Sequence, residues 1–300
     1  MFTLAIAAAV IAVQDTDATR LPIGTPGTVV AQPGRITSTR TSESANIDDV
    51  AKAADGKRLI FLGEQHATAA HQQLEANIIE ALVRRGRRVV VGLEMYTRPK
   101  QGALNDWSNG KLDEAAFLEQ SDWKGQWGFP FGFYRPVFDT VRRHKLPLLG
   151  LNVPREWVRA VGMGGFSALP PDAKSSLPSE MSLDNKNHRM VFDALMGGHP
   201  GMSDDQMKNI YAAQVLWDEA MADTIIKDMA RRGRDPKTIY VVIAGSGHVM
   251  YGQGINYRLD KHGAGSGPSV VMFEEPDPVT ASKGIADYIY VSAKAPPEPK

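Results

Sequence analysis

A chain of 300 residues with 43% hydrophobic and 23% charged residues has an ordinary globular composition, and is long enough for one large core or two small ones. Its 34 Lys and Arg balance 34 Asp and Glu, so no net charge draws it to nucleic acid or to an anionic membrane. The absence of Cys excludes disulfides, thiolate metal sites, a Cys nucleophile and an N-terminal Cys carrying lipid.

From the N-terminus, Phe2 to Val13 is an apolar run followed by polar Gln14 and Asp15. It is too short to span a bilayer as a helix. It suits the apolar region of a secretory signal peptide over residues 1–13, with Val10-Ile11-Ala12 as a cleavage site, although no Lys or Arg precedes it. A buried N-terminal strand or helix is the structural alternative. Export to the periplasm or beyond the cell is expected. No other stretch reads as a transmembrane helix, so an integral membrane protein is not. Residues 14–45, rich in Thr, Ser, Pro and Gly, read as a flexible linker with a short strand at Gly27–Ala31.

Residues 46–292 then alternate strands with helices. Strand Arg58–Leu62 precedes a helix over Ala69–Arg85, where Leu74, Ile78, Ile79, Leu82 and Val83 share one face and Gly86 provides the stop. Strand Arg88–Leu93 follows. Helical stretches cover Gln101–Asn109, Asp113–Gln120 and Arg135–His144. Strand Leu146–Leu151 leads to a helix opening at Pro154, where the missing N–H costs nothing. Residues 162–187, rich in Gly, Pro and Ser, read as an excursion or lid. Ser203–Arg232 is one long helix ended by Gly233. Strands Thr238–Ala244, Ser269–Phe273 and Tyr288–Val291 complete the domain, and the tail 293–300 reads as disordered. The alternation predicts an α/β fold: a central, largely parallel sheet with helices on both faces and an excursion over the strand C-terminal ends.

The chemistry gathers at those ends. Four apolar runs end in Glu64 and His66, in Glu94, in Asn152, and in Gly245-Ser246-Gly247-His248. Open α/β sheets bind ligands at the carboxyl ends of their strands. Glu64 and His66 are two apart and point to one side of an extended strand. A carboxylate and an imidazole so placed share a cation, or act as a base and its orienting partner; hydrogen bonding within a turn is the plainer reading. Two carboxylates close together, Glu64 and Glu94, raise one pKa unless a cation separates them. Gly245 to His248 is neither a P-loop nor a dinucleotide fingerprint. His248 reads as a ligand or acid–base group facing His66, or as a capping His. On the long helix, Gln214 and Asp218 fall beside a buried apolar stripe and need partners. Between Trp123 and Phe138 lie seven aromatic residues with interspersed Gly and Pro, read as an irregular loop lining a ligand pocket, an interface or a satellite core. Tyr134 within it is a candidate phenolate ligand for haem iron.

These motifs, in order, resemble the ChaN-like family of haem-binding proteins, within the wider group of Tiki, TraB and erythromycin esterase-like proteins. The resemblance runs from Lys57 to Leu259. It is carried by Leu62–His66, Gly92–Met95, Tyr134-Arg135-Pro136, Leu151–Arg155 with Asn152 and Arg155, Ala213-Gln214, Trp217-Asp218, Met221-Ala222, Ala244–Val249 and Gly254-Ile255. It implies an α/β fold with haem near a subunit interface, a homodimer around it and a Tyr ligand. Tyr134, Tyr251 and Tyr257 are the candidates for that ligand, and Trp127 is a haem contact. The lipoprotein members carry an N-terminal Cys that this chain lacks, so a form not anchored through Cys is expected. Tiki-like members imply instead a metal-dependent hydrolase, with His66, His248, Glu64 and Glu94 holding Zn, Mn, Fe or Co and one of Glu64 and Glu94 activating water. Two functions are thus expected in order: haem binding for iron uptake, then metal-dependent hydrolysis. A scaffold with only a hydrogen-bonded network is the third reading.

Overall fold

The computed structural model describes residues 17–196 and 202–293. The expected signal segment 1–13 and nearly all of the expected disordered tail lie outside the described residues. The elements are β1 (Thr28–Ala31), β2 (Arg35–Ser38), β3 (Ser44–Ala45), α1 (Ile47–Ala53), β4 (Leu59–Glu64), α2 (Ala69–Arg84) and β5 (Arg88–Thr97). Next come α3 (Gln101–Ser108), α4 (Glu114–Gln120), α5 (Trp123–Gln126), α6 (Phe131–His144), β6 (Leu148–Asn152), α7 (Arg155–Gly164) and α8 (Pro171–Ser176). The last are α9 (Lys186–Met196), α10 (Asp204–Arg232), β7 (Thr238–Gly245), α11 (Ile255–Lys261), β8 (Ser269–Glu274), β9 (Val279–Ser282) and β10 (Tyr288–Ser292).

Six strands form one sheet in the order β10-β8-β4-β7-β5-β6, and every pairing in it is parallel. All residues of β4 and β7 are buried. That suits near-continuous runs of Val, Ile, Leu and Phe covered on both faces. The helices α1, α2, α3, α4 and α6 pack their apolar sides on one face of the sheet. The other face is covered by α10, α11 and the N-terminal segment. Helix α10 opens with a capping box between Ser203 and Gln206 and stops at Gly233, whose φ of 77° favours glycine.

The chain passes from β4 through α2 to β5 and leaves a gap between them, which β7 fills much later. This order makes the ends of β4, β7 and β5 neighbours, with Glu64 opposite Gly245 and Leu93 opposite Ile243. Between Leu93 and Thr97 the register of β5 against β6 shifts. Such an irregularity re-aims a side chain at a sheet rim, here that of Glu94.

Two expectations are corrected. Residues 17–45 are not a loose linker. The short strand near Gly27–Ala31 is present as β1 and pairs antiparallel with β9, while Leu21, Ile23, Val29 and Ala31 are buried against the sheet. Spaced single apolar residues, rather than apolar density, hold this segment. The aromatic stretch is also more regular than expected. From Phe131 onward it is helix α6, which accommodates Pro136 close to its start. Trp123, Phe131, Tyr134 and Phe138 join Tyr96, Trp107 and Phe117 in a buried cluster of tilted and edge-on rings. Most of the stretch is therefore core, while Trp127 and Phe129 and the hydroxyl of Tyr134 reach the strand ends. The excursion after α7 contains α8 and leads into α9. Leu195 of α9 packs against the turn at Gly247, over the end of β7.

Candidate ligand site at the carboxyl edge of the sheet

Glu64 ends β4 with its carboxylate buried and three side chains on it. Tyr134 donates to Oε1 at 2.8 Å, His66 Nδ1 lies 2.7 Å from the same oxygen, and Gln72 donates to Oε2 at 2.6 Å. The turn beyond is tight. Ala67 sits at φ 53° and its N–H donates to the Tyr134 hydroxyl at 3.1 Å. His71, kept neutral chiefly by burial, accepts from the Gln65 N–H at 3.1 Å. Behind Glu64, Glu75 is wholly buried. Burial first, and then the Glu64 charge, push its carboxyl well above the ordinary range, so it is held protonated.

Across the junction, Glu94 accepts from the Gly245 N–H at 2.6 Å, and its other oxygen lies 3.4 Å from His248 Nε2. Burial alone would raise the Glu94 carboxyl. The facing His248, with His66 and the Gly245 N–H, overcomes that and lowers it to about 2. His248 Nδ1 donates to Asp218 Oδ1 at 2.6 Å, and Gln214 lies 3.0 Å from the same nitrogen. Burial disfavours the imidazolium, but Glu94 and Asp218 outweigh it and raise His248 to about 10. Asp218 in turn lies 2.9 Å from His188 Nε2 and 3.4 Å from Arg258, and is held well below the usual range despite its burial. The result is a buried chain of alternating charge from Glu94 through His248 and Asp218 to Arg258.

The open side is different. The His66 side chain is 33% exposed, and with Nδ1 engaged by Glu64 its Nε2 is free. Burial lowers the His66 pKa, yet the bond to Glu64 and the Glu94 charge raise it overall. Its ring meets Trp127 edge-on at 4.6 Å and lies 6.1 Å from Phe129. Trp217 stands 6.1 Å from His248. A Cβ on Gly245 would come within 3.0 Å of the His66 ring, so the absence of a side chain lets the two strand ends close together.

The supporting residues also converge. Asn152 donates to the Glu94 carbonyl at 3.2 Å. Arg155 donates to the Gln126 carbonyl, next to Trp127. The three tyrosines divide. Tyr134 is buried with its hydroxyl spent on Glu64 and Ala67, and burial together with the Glu64 charge opposes its phenolate. Tyr251 is buried, donating to the Ala18 carbonyl and accepting from the Leu21 N–H, both at 2.9 Å. Tyr257 is 39% exposed on α11.

The expected set of metal ligands is not assembled. Among the described residues no group of three or more His, Asp or Glu is placed to hold one metal ion. The physical reason is pairing. His66 and His248 each face a carboxylate, and His248 is an imidazolium with both nitrogens engaged.

Residues 50–259 match the family model described as haem-binding uptake, Tiki superfamily, ChaN. The chain belongs to the ChaN family. Among solved structures, a ChaN of Campylobacter jejuni described as binding haem cofacially is similar at a TM-score of 0.63 and 19% identity, over 85% of this chain and 95% of that one. At that identity the likeness shows the fold. The type III effector HopBA1 (TM-score 0.48, 13% identity, 89% and 97% covered) and an erythromycin esterase, EreC (0.47, 12%, 85% and 83%), are more distant. No curated protein matches.

Within this ChaN-family chain, sequence reasoning missed Gln72, Glu75, His188, Arg258 and the rim residue Leu195. Gln72 and Glu75 were detectable, because they interrupt the apolar face of α2 one turn apart. His188 and Arg258 carried no such signal, since their role depends on α9 and α11 meeting α10 at Asp218.

Proposed function

We propose that this ChaN-family protein is an exported haem carrier serving iron uptake, and that haem lies across the mouth formed by His66, Trp127, Phe129 and Trp217. The observation that carries this reading is the half-open His66 imidazole, with one nitrogen free, inside an aromatic rim. A porphyrin needs apolar walls for its ring and a donor for its iron, and this mouth offers both. Trp127 and Phe129 would supply the apolar walls, and His66 Nε2 would be the donor to the iron. Tyr134 and Tyr251 have committed hydroxyls, and Tyr257 lines a separate cleft with Asp260, Ser266 and Gly267, so it would hold haem only away from this mouth. Phe129 and Leu195 leave apolar surface exposed beside the mouth. A second copy facing it would cover both, giving a homodimer around haem. The apolar run Phe2–Val13 supports export.

The test is hemin titration followed at the Soret band. A saturable complex is expected, with the band shifted or lost in His66→Ala and kept in Tyr134→Phe. If Tyr257→Phe removes the band and His66→Ala leaves it, iron is held by Tyr257 instead. No Soret shift in the wild-type protein defeats the reading.

A second reading rests on the paired carboxylates and imidazoles. Glu64 orients His66 as a base with Nε2 free, and His248, held as an imidazolium between Glu94 and Asp218, sets a fixed positive charge beside it. This arrangement suits hydrolysis by proton transfer rather than through a metal-activated water. Ester hydrolysis that survives chelator and disappears in His66→Ala would establish it, and no turnover of activated esters would remove it.

A further inference from the structure

The chain is neutral overall, but the fold does not leave its charge evenly spread. At the edge opposite the haem mouth, helix α2 ends at Arg84 with Arg85 as its cap, and Arg87 leads into β5, which opens with Arg88. Helix α6 ends on Arg142 and Arg143, followed by Lys145. Helix α10 ends on Arg231 and Arg232, and Arg234 and Lys237 lead into β7. Lys57 and Arg58 precede β4.

Contacts confirm that these segments share one edge. Arg58 reaches the Gly233 carbonyl at 3.4 Å, Arg87 the Lys237 carbonyl at 3.1 Å, and Arg88 pairs with Asp235 at 2.8 Å. Acidic residues facing them are fewer: Asp48, Asp55, Glu80, Asp228 and Asp235. Because the whole chain balances, the rest of the molecule carries the matching acidic excess. Basic residues in the last turn of a helix complement its dipole. That accounts for those ending α2, α6 and α10, and backbone carbonyls or Asp235 hold Arg58, Arg87 and Arg88, but neither accounts for Lys57, Arg234 and Lys237. Between the arginines lies a groove of about 580 Å³ with Arg87, Arg88 and Arg232 at its rim and Val83, Val90 and Leu146 in its lining.

We propose that this basic edge docks the protein on an anionic lipid surface, with the haem mouth held away from the membrane. Lys and Arg gathered on one face are attracted to acidic headgroups within a Debye length, about 8 Å at physiological ionic strength. The side chains here are mostly exposed and project from loops and element ends. Nucleic acid fits less well. Among the described residues no exposed aromatic side chain lies at this edge for bases to stack on. No helix or hairpin projects from it to enter a groove; the edge is built of element ends. The six residues of β4, at about 3.3 Å each, separate this edge from the mouth by roughly 20 Å, so docking leaves the mouth open.

The experiment is co-sedimentation of the purified protein with phosphatidylcholine vesicles, with and without about a third phosphatidylglycerol. Binding is expected only to the anionic vesicles and should be released by about 0.5 M salt. The triple variant Lys57→Glu, Arg234→Glu, Lys237→Glu should weaken it at least about tenfold. These side chains are exposed, so its urea midpoint and hemin titration should match the wild type. No binding to anionic vesicles at low salt overturns the proposal. So does binding that the triple variant leaves intact.

Discussion

Asp218→Asn tests the buried charge chain most directly. The carboxylate is wholly buried, 2.6 Å from His248, 2.9 Å from His188 and 3.4 Å from Arg258. Asn keeps the shape and removes the charge. Deleting one partner of a buried ion pair typically costs about 3–5 kcal/mol, because the remaining charge stays buried without compensation. For a domain of this size each kcal/mol lowers the melting temperature by about 2–4 °C, so a drop of roughly 10 °C is expected. The pH dependence adds a second readout. In the folded wild type His248 is raised to about 10 from an ordinary 6.5. Its contribution is therefore fully present below about 6.5 and is lost as pH rises through about 10. In Asp218→Asn only Glu94, at 3.4 Å, still holds the imidazolium, so the alkaline loss should be smaller and centred at lower pH. Glu94 itself, lowered to about 2, titrates far below this window. Urea unfolding followed by tryptophan fluorescence from pH 6 to about 10 measures both effects. A cost below about 1 kcal/mol, or alkaline slopes that coincide in the two proteins, would refute the reasoning.

Three further outcomes follow from the same geometry. Tyr134→Phe removes the hydroxyl that bridges Glu64 and the Ala67 N–H, and should cost about 1–3 kcal/mol in urea unfolding while the Soret band is kept. Gly254→Ala would place a Cβ 2.0 Å from the His248 carbonyl oxygen, so the variant should be strongly destabilised or fail to accumulate as soluble protein, whereas Gly252→Ala, with open space around it, should lose far less despite its positive φ. Because the His66 pKa is raised and iron must displace its proton, hemin should bind more tightly at pH 8 than at pH 6, with the dependence abolished in His66→Ala.

The fold was legible because its signals are local. β4, β5, β7 and β8 are apolar runs bounded by turns, and α2 and α10 show their buried faces at helical spacing. The general behaviour of strand ends predicted that Glu64, His66, Glu94 and His248 would gather at the carboxyl edge, and these side chains do meet there. What each contributes was not legible. Glu64 and Glu94 are both carboxylates at strand ends, but Tyr134 and Gln72 surround the first while a backbone N–H and an imidazolium surround the second. Those neighbours come from α6, α2 and β7, far away in the chain. The N-terminal segment misled for a related reason. Leu21, Ile23, Val29 and Ala31 are too sparse to read as a structured segment, and their burial depends on β9 and α11 arriving more than 200 residues later.

Charge shows the same gap between sequence and fold, and it bears on function. A count of 34 against 34 argues against electrostatic attraction only if the charges are mixed in space. In a parallel sheet every strand begins at one edge, and the helices that precede those strands end there as well. Basic residues that close a helix and open the next strand are therefore collected on that edge by topology alone, as Arg84 to Arg88 and Arg231 to Lys237 are. The carboxyl edge collects strand-end chemistry by the same logic. One connectivity rule thus gives the molecule two poles, a His–carboxylate mouth and a basic base, and chain-wide neutrality conceals both.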